Sequence, residues 1–287
     1  MANTESLELS ADMPLAATWT RADREARAVV LVGGAVAVPR SFYARWAQDL
    51  ADRGYDVLTF DYRGIGGSRP SSLRGFDATL QDWGRKDLGA ALAEAERQAA
   101  GRPVLYVGHS FGGQALGLVD GGERLAGGVV IASGWGFWGY HPWWKRPGLV
   151  AVMAGLLPSL ALTLGHVPGG IGLGAGLPGG VAREWARWCR HPDYLLAHVP
   201  DARERFARVT APFHVLTVSD DGYIPGPAVA QLAAVLPNGL PDTIDASAYG
   251  EGLGHFGAFR PYARPVWDDL AMRLSGLLGP RDARQSA

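Results

Sequence analysis

Gly108-His109-Ser110-Phe111-Gly112 sets a serine between two glycines, straight after the apolar run Val104–Val107 and straight before the small-residue stretch "FGGQALGLV". A strand, a sharp turn and a helix in that order would present the hydroxyl of Ser110 at the end of a buried strand. Glycines at 108 and 112 would let strand and helix approach closely. A helix N-terminus beside the serine favours developing negative charge. A serine hydroxyl is a weak nucleophile at neutral pH, so it needs a base, and the base needs an acid to orient it. Downstream, "VLTVSDDGYIP" ends an apolar run in Asp220 and Asp221, and "EGLGHFGAFRP" carries His255 in a glycine-rich loop. Asp221, four residues before Pro225, has the spacing of a turn from strand into helix and is the expected acid; Asp220 is its rival and a turn-capping residue. His255 is the expected base. His109 adjoins the serine but points away from the same face, which predicts a packing role. His141, His166, His191, His198 and His214 lack an acid-plus-strand setting and read as surface or packing residues. A negative charge on a reacting carbonyl needs backbone N–H donors. Phe111 supplies one, and the loop after "AVVLVGG" the other, at Ala35 with Gly34 as the alternative.

Buried strands must carry these loops. "AVVLVGG" (28–34), "YDVLTFDYRG" (55–64), "PVLYVGHS" (103–110), "GGVVIASG" (127–134) and "FHVLTVSDD" (213–221) are short continuous apolar runs, the pattern of strands covered on both faces. Leu7–Ser10 and Leu15–Thr20 read as an opening hairpin, and "DTIDASAY" (242–249) as a last strand. Between them, Ser41–Arg53 repeats Phe42, Trp46 and Leu50 at helical spacing before Gly54. Thr79–Ala100 does the same with Leu80, Trp83, Leu88, Ala91, Leu92 and Ala95 before Gly101 and Pro103. Strands alternating with helices predict an α/β fold with a mostly parallel sheet, and sites beyond the carboxyl ends of its strands.

The alternation breaks from Gly134 to about Arg208. This stretch opens with "GWGFWGYHPWW" and holds six of the ten tryptophans. It reads as a cap of residues 134–208 inserted into a core of residues 1–133 and 209–287, with Trp135, Trp138 and Trp143 as candidate substrate contacts. Gly148–Ala182 has no Asp, Glu, Lys or Arg, and its first half, "GLVAVMAGLLPSLALTLG", has about the length of a membrane span. Pro158 and the glycine-rich "PGGIGLGAGLPGG" favour a buried helix pair or lid; membrane-surface contact is the less favoured reading and a true span the least.

The chain has 287 residues and a formal net charge of −1, without a long basic run, so nothing points to a nucleic-acid partner. Hydrophobic residues are 47% of it, enough for a large core. The single cysteine, Cys189, excludes an intrachain disulfide and reads as a buried thiol. "MANTESLELSADMP" lacks the basic start and apolar stretch of a secretory signal, which gives the expectation of a cytoplasmic protein. No metal-ligand cluster, phosphate loop or dinucleotide fingerprint is present; "GIGGS" at Gly64–Ser68 lacks the spacing of one. No cofactor is expected, and the sequence carries no signal for oligomeric state.

Ser110, Asp221 and His255 in that chain order, with "GHSFG", resemble the α/β-hydrolase superfamily. "FDYRGIGGSRP" looks like that family's Asp-x-Arg-Gly-x-Gly-x-Ser stretch, and "LVGG" stands where many members carry His-Gly, with Gly33 in place of the histidine. "DYRGIGGSRPSSLRGF", "EWARWCRHPDY" and "GHFGAFRP" resemble bacterial α/β hydrolases grouped with serine aminopeptidases and lysophospholipases. The resemblance implies an α/β-hydrolase fold with about eight mostly parallel strands, flanking helices and an inserted helical cap. It also implies a serine hydrolase with the triad Ser110, His255 and Asp221. The expected substrate is a small carboxylic ester with an apolar part, cleaved through an acyl-enzyme. Three readings compete with it: a serine aminopeptidase, a thioesterase or acyltransferase, and a ligand-binding homologue without catalysis. The peptidase needs a cap carboxylate for a free amino terminus, and Glu184 is the only acid between Glu123 and Asp193.

Overall fold

Each apolar run becomes a strand of one sheet, and the alternation of its side chains explains why whole strands are buried. The computed structural model describes residues 3–170, 174–250 and 252–279. Eight strands form the main sheet in the order β1-β2-β4-β3-β5-β6-β9-β10. They are β1 (Asn3–Ser10), β2 (Pro14–Arg21), β3 (Ala28–Gly33), β4 (Tyr55–Phe60), β5 (Val104–His109), β6 (Gly127–Ile131), β9 (Phe213–Val218) and β10 (Gly239–Ile244). The short β7 (His166–Val167) and β8 (Leu177–Pro178) pair separately. From β4 to β10 all neighbours are parallel, and β2 alone runs against both of its neighbours. The fold is that of the α/β hydrolases, with helices on both faces. In β3, Val29 and Leu31 enter the apolar layer that holds Trp83, Leu88 and Leu92, while Val30 and Val32 enter the layer that holds Trp46, Leu50 and Trp267. Period-two alternation thus feeds two cores from one strand.

The helices close these layers. α1 (Ala44–Asp52) follows a tight turn over Arg40–Tyr43 and buries Trp46, Ala47 and Leu50. α2 runs over 80–99; Thr79 and Asp82 form a capping box at its start, and a π-helical turn occupies Trp83–Leu88. At Gly84 a side chain would collide with Leu118, so this helix needs a glycine to lie as close as it does. α3 (Phe111–Gln114) is a single turn continued by a tighter one over Ala115–Gly117, much shorter than "FGGQALGLV" suggested.

Several strands stop earlier than their apolar runs imply. β4 ends at Phe60 because Asp61 turns out of the sheet to bind Gly67 N–H at 2.8 Å and the backbone and side chain of Arg40. β6 ends at Ile131 and β9 at Val218, which leaves Ser133 and Asp220–Asp221 in the loops where a site can form. The last strand is Gly239–Ile244, three residues upstream of the expected start at Asp242, and Ala246–Ala248 makes a helical turn instead.

Residues 134–208 lie between β6 and β9, which are direct neighbours in the sheet. They hold a continuous helix over 146–163 (α4), the β7–β8 ribbon, α5 (Gly179–Trp188) and α6 (Ala202–Arg208). Leu157 and Ala161 of α4 are buried. Phe206 of α6 packs over Gly117, where a Cβ would strike its ring. Of the charge-free segment, residues 171–173 lie outside the described residues.

Candidate active site

β5 delivers Ser110 at φ 55° and ψ −116°, a conformation in which a side chain is strained. The turn survives because its surroundings over-determine it. Ser110 N–H donates to Ile131 O at 3.1 Å, and Ser133 Oγ donates to Ser110 O at 2.6 Å. A Cβ on Gly108 would lie 2.7 Å from Gly113 N, and one on Gly112 would collide with Gly33 O. The same contact explains the glycine at 33. A side chain there would strike Tyr106 Oη, which donates to Gly112 O at 2.7 Å. Tyr106 therefore fills the space that a residue with a side chain at 33 would use.

His255 Nε2 lies 2.9 Å from Ser110 Oγ, and His255 Nδ1 lies 2.8 Å from Asp221 Oδ2. A carboxylate accepts, so Nδ1 carries the proton and Nε2 accepts from the serine hydroxyl. The other oxygen, Asp221 Oδ1, accepts from Tyr223 N–H at 2.7 Å and Ile224 N–H at 3.1 Å, which fixes the carboxylate plane. All three residues are nearly enclosed, at 9% exposure for Ser110 and Asp221 and 7% for His255. Asp221, not Asp220, holds the imidazole. Asp220 instead accepts from Leu253 N–H at 2.9 Å and Gly254 N–H at 2.8 Å, the two amides that lead into His255.

His109 packs behind the serine, as its position implied, but it also makes bonds that the sequence did not disclose. Its Nε2 donates to His255 O at 2.9 Å, and its Nδ1 accepts from Tyr43 Oη at 2.8 Å. Tyr43 Oη in turn accepts from Ala35 N–H at 2.9 Å. Burial pushes the His109 imidazole down to about 3, with the neighbouring His255 adding to the effect, so the ring is neutral. The bond to Tyr43 corrects one expectation: the Ala35 amide is engaged away from the serine. On the same loop, Val36 N–H has no acceptor among the described residues. Phe111 N–H is the first of its helix, where no intrahelical acceptor exists.

The three tryptophans sit in three different settings. Trp135 is sealed in the core at 2% exposure, stacked on Tyr194 with ring centres 5.8 Å apart. Trp138 packs on Phe137, and Trp143 stands 75% exposed against Trp144. A tryptophan count does not separate core from surface, whereas Tyr223 and Phe256, 5.2 and 4.8 Å from the His255 ring, are the aromatic groups that do border the site. Glu184 accepts from Gln81 N–H at 3.1 Å and Gln81 Nε2 at 2.6 Å, tying α5 to the start of α2. Burial raises its pKa. Cys189 is buried, which pushes its thiol up. His141 is 5% exposed and lies within electrostatic reach of Asp221 and Lys145. His214 lies beside Arg273, and His191 stacks edge-on with His198. Surface depressions of about 490 and 220 Å³ are lined by other residues, from Ala248 to Pro265 and from Thr217 to Thr243. Among the described residues no group of three or more His, Cys, Asp or Glu side chains could hold a metal ion.

A sheet of this order, with Ser110 on the turn after β5 and Asp221 and His255 after the later strands, is the arrangement of one enzyme class. The family model described as "Alpha/beta hydrolase family" matches residues 29–266, and the chain belongs to that family. Solved structures share the fold at low identity. Est1E from Butyrivibrio proteoclasticus with ferulic acid bound aligns at TM-score 0.64 and 15% identity, over 96% of this chain and 100% of its own. A thermostable carboxyl esterase from Bacillus coagulans in complex with glycerol aligns at 0.65 and 13%, over 97% and 99%. The esterase domain of a Rhodothermus marinus protein aligns at 0.62 and 17%, over 96% and 100%. No curated protein sequence matches.

Proposed function

We propose that this α/β hydrolase is a serine hydrolase that cleaves a carboxylic ester with an apolar part through an acyl-enzyme. The observation that carries the reading is the unbroken chain Ser110 Oγ, His255 Nε2, His255 Nδ1 and Asp221 Oδ2, with 2.9 and 2.8 Å links. Ser110 Oγ attacks the ester carbonyl while Nε2 takes its proton. The carbonyl oxygen becomes an oxyanion, met by Phe111 N–H and by a second amide of the loop after β3, that of Gly34 or Val36 rather than Ala35. His255 then protonates the leaving alkoxide, which departs as the alcohol. Water, deprotonated by the same nitrogen, attacks the acyl-serine, and Nε2 returns that proton to Ser110 Oγ as the carbon–Oγ bond breaks and the acid is released. Asp221 stays ionised and holds the imidazole in the tautomer this cycle needs.

The aromatic border of Tyr223 and Phe256 favours an apolar substrate part. Two of the three structural relatives are named as esterases, which supports ester over amide. The aminopeptidase reading loses support because both carboxylate oxygens of Glu184 are occupied by Gln81. The test is labelling by a fluorophosphonate together with turnover of p-nitrophenyl esters of increasing chain length. Wild type should label and turn over, and Ser110→Ala and His255→Ala should do neither. A folded wild type that neither labels nor cleaves any ester would end this reading and bring forward a ligand-binding role.

A further inference from the structure

The helix α4 is apolar and yet uncovered. Only 11% of its residues 146–163 are buried, at a mean hydropathy of 1.4. Eight large apolar side chains are strongly exposed among the described residues, and four of them cluster here: Trp143, Trp144, Leu156 and Leu162, at 75, 64, 47 and 73%. Scattered exposed apolar groups are ordinary, but a contiguous patch marks an interaction surface.

The segment's own charged side chains are all cations. Lys145 and Arg146 open the helix, and neither makes an ion pair among the described residues. At the far end, Gly165 lies against Arg74, which is exposed and also without an ion pair. No acid occurs from 148 to 182. An apolar strip with a tryptophan pair and cations at both ends matches the chemistry of a bilayer interface bearing anionic headgroups. Tryptophan rings sit at headgroup level, and long cationic side chains reach the phosphates while their stems stay apolar. Crossing the bilayer is excluded by the packing. Leu157 and Ala161 are buried, a π-helical turn over Ala151–Leu156 and Pro158 disturb the regular hydrogen bonding of this continuous helix, and both of its ends return into the folded chain.

We propose that the 143–163 face docks on an anionic phospholipid surface, lying in its plane. Lys145 sits beside Gly222, where a Cβ would be 3.8 Å from its ammonium, and Gly222 follows Asp221. Docking therefore brings the Asp221–Tyr223 edge of the site to the lipid. This second point rests on the proposed catalytic role; the docking does not.

Flotation of the full chain tests it, with vesicles of phosphatidylcholine alone and of phosphatidylcholine mixed with phosphatidylglycerol. The protein should float with the mixed vesicles and much less with the neutral ones, and added salt should weaken the binding. Trp143→Ser with Trp144→Ser should cut partitioning about ten-fold, and Lys145→Glu with Arg146→Glu should abolish the anionic preference. Met272→Ser, which alters an exposed residue on α8 (Arg264–Gly276), should change neither. Circular dichroism and fluorophosphonate labelling check that the variants are folded. Wild type left unfloated by both vesicles overturns the proposal. So does a lipid-free dimer that Leu162→Glu converts to monomer, which would make the face an interface between copies. Flotation without labelling would retain this proposal and remove the catalytic one.

A separate set of bonds carries a second inference. His255 is gripped from both sides: His109 donates to its carbonyl, and Asp220 accepts from the two amides before it. Through Tyr43 the same His109 reaches the Ala35 loop. We infer that His109 and Asp220 are positioning residues that hold the base in line with Ser110. His109→Phe and Asp220→Ala should lower kcat on an activated ester about ten-fold or more with KM little changed. The rate of fluorophosphonate labelling should fall alike. His109→Gln and Asp220→Asn, which keep a donor or an acceptor, should recover much of the loss. Folded variants with unchanged labelling rates would overturn the inference, as would conservative variants no better than the disruptive ones.

Discussion

The surroundings of Ser110 and the surface of α4 are built on opposite terms. Around Ser110 three loops from β3, β5 and the region after β10 are joined by directional bonds, Ala35 to Tyr43, Tyr43 to His109 and His109 to His255. These bonds lie in a buried setting, where a satisfied polar network is rigid and a broken one is costly. Across α4 the side chains are mostly apolar and uncovered, and the hydrogen bonds they make, Arg146 to His141 O and Thr163 to Ser159 O, stay local to the segment. The proposed proton transfer needs atoms held to fractions of an ångström, and the over-determined bonding of that region would supply this. Contact with a fluid surface needs area and charge rather than register, so the other region can be loosely specified.

That contrast sets the size of the effects expected. Asp221→Asn should be the most severe, because it keeps the shape but frees the imidazole to take the wrong tautomer. A fall of about 10⁴-fold in kcat is expected, against a far smaller loss for Asp220→Asn on the adjacent residue. Equal losses would erase the distinction between orienting a ring and orienting a backbone. Gly33→Ala should come next. Its Cβ meets Tyr106 Oη in a packed site, and a loss of roughly 1–3 kcal/mol in urea unfolding is expected. A neutral effect would show that Tyr106 moves readily.

The buried His109 should also be felt in stability against pH. Its folded value, about 3, lies below the ordinary 6.5, so between those values the unfolded chain binds the extra proton. Stability should therefore decline as pH falls from about 6.5 toward 3, by at most about 1.4 kcal/mol per pH unit from this group. His109→Gln should flatten that slope in urea midpoints measured from pH 7 to pH 4. An unchanged slope would place the ring in a wetter setting. The smallest effect is expected on α4: Leu162→Ser should alter stability by no more than about 0.5 kcal/mol, since the side chain is 73% exposed. A large loss would mean that this face is already covered.

The parts of the site that could be read from residues alone are those with local causes. Ser110 was legible because glycines at 108 and 112 are demanded by contacts with Gly113 and Gly33, a need that shows in the sequence as spacing. The strand runs were legible because strands buried on both faces tolerate few polar residues. The choice of Asp221 followed from its distance to Pro225, which starts the turn into α7 (Gly226–Ala233). Three other features were not legible. Ala35 looked available as an oxyanion donor, but the hydroxyl that occupies it comes from Tyr43, eight residues on and in another turn. Trp135 looked like a substrate contact, but Tyr194 covers it from the far end of the insertion. "DTIDASAY" looked like a strand, but β10 pairs from Gly239, opposite Phe213.

The sequence by itself determined the α/β alternation, the chain order of Ser110, Asp221 and His255, and a charge-free stretch unlike the rest of the chain. Those are consequences of local periodicity, glycine spacing and composition, which neighbouring residues settle among themselves. Only the tertiary structure decided which aspartate faces the imidazole, which amide is occupied, and which tryptophans are buried. Each of these depends on a partner brought in from elsewhere in the chain. Asp221 and His255 stand 34 residues apart, and Ser110 and His255 stand 145 apart. Which groups meet over such separations is set by the packing of the sheet and its loops, and no short stretch of residues encodes it.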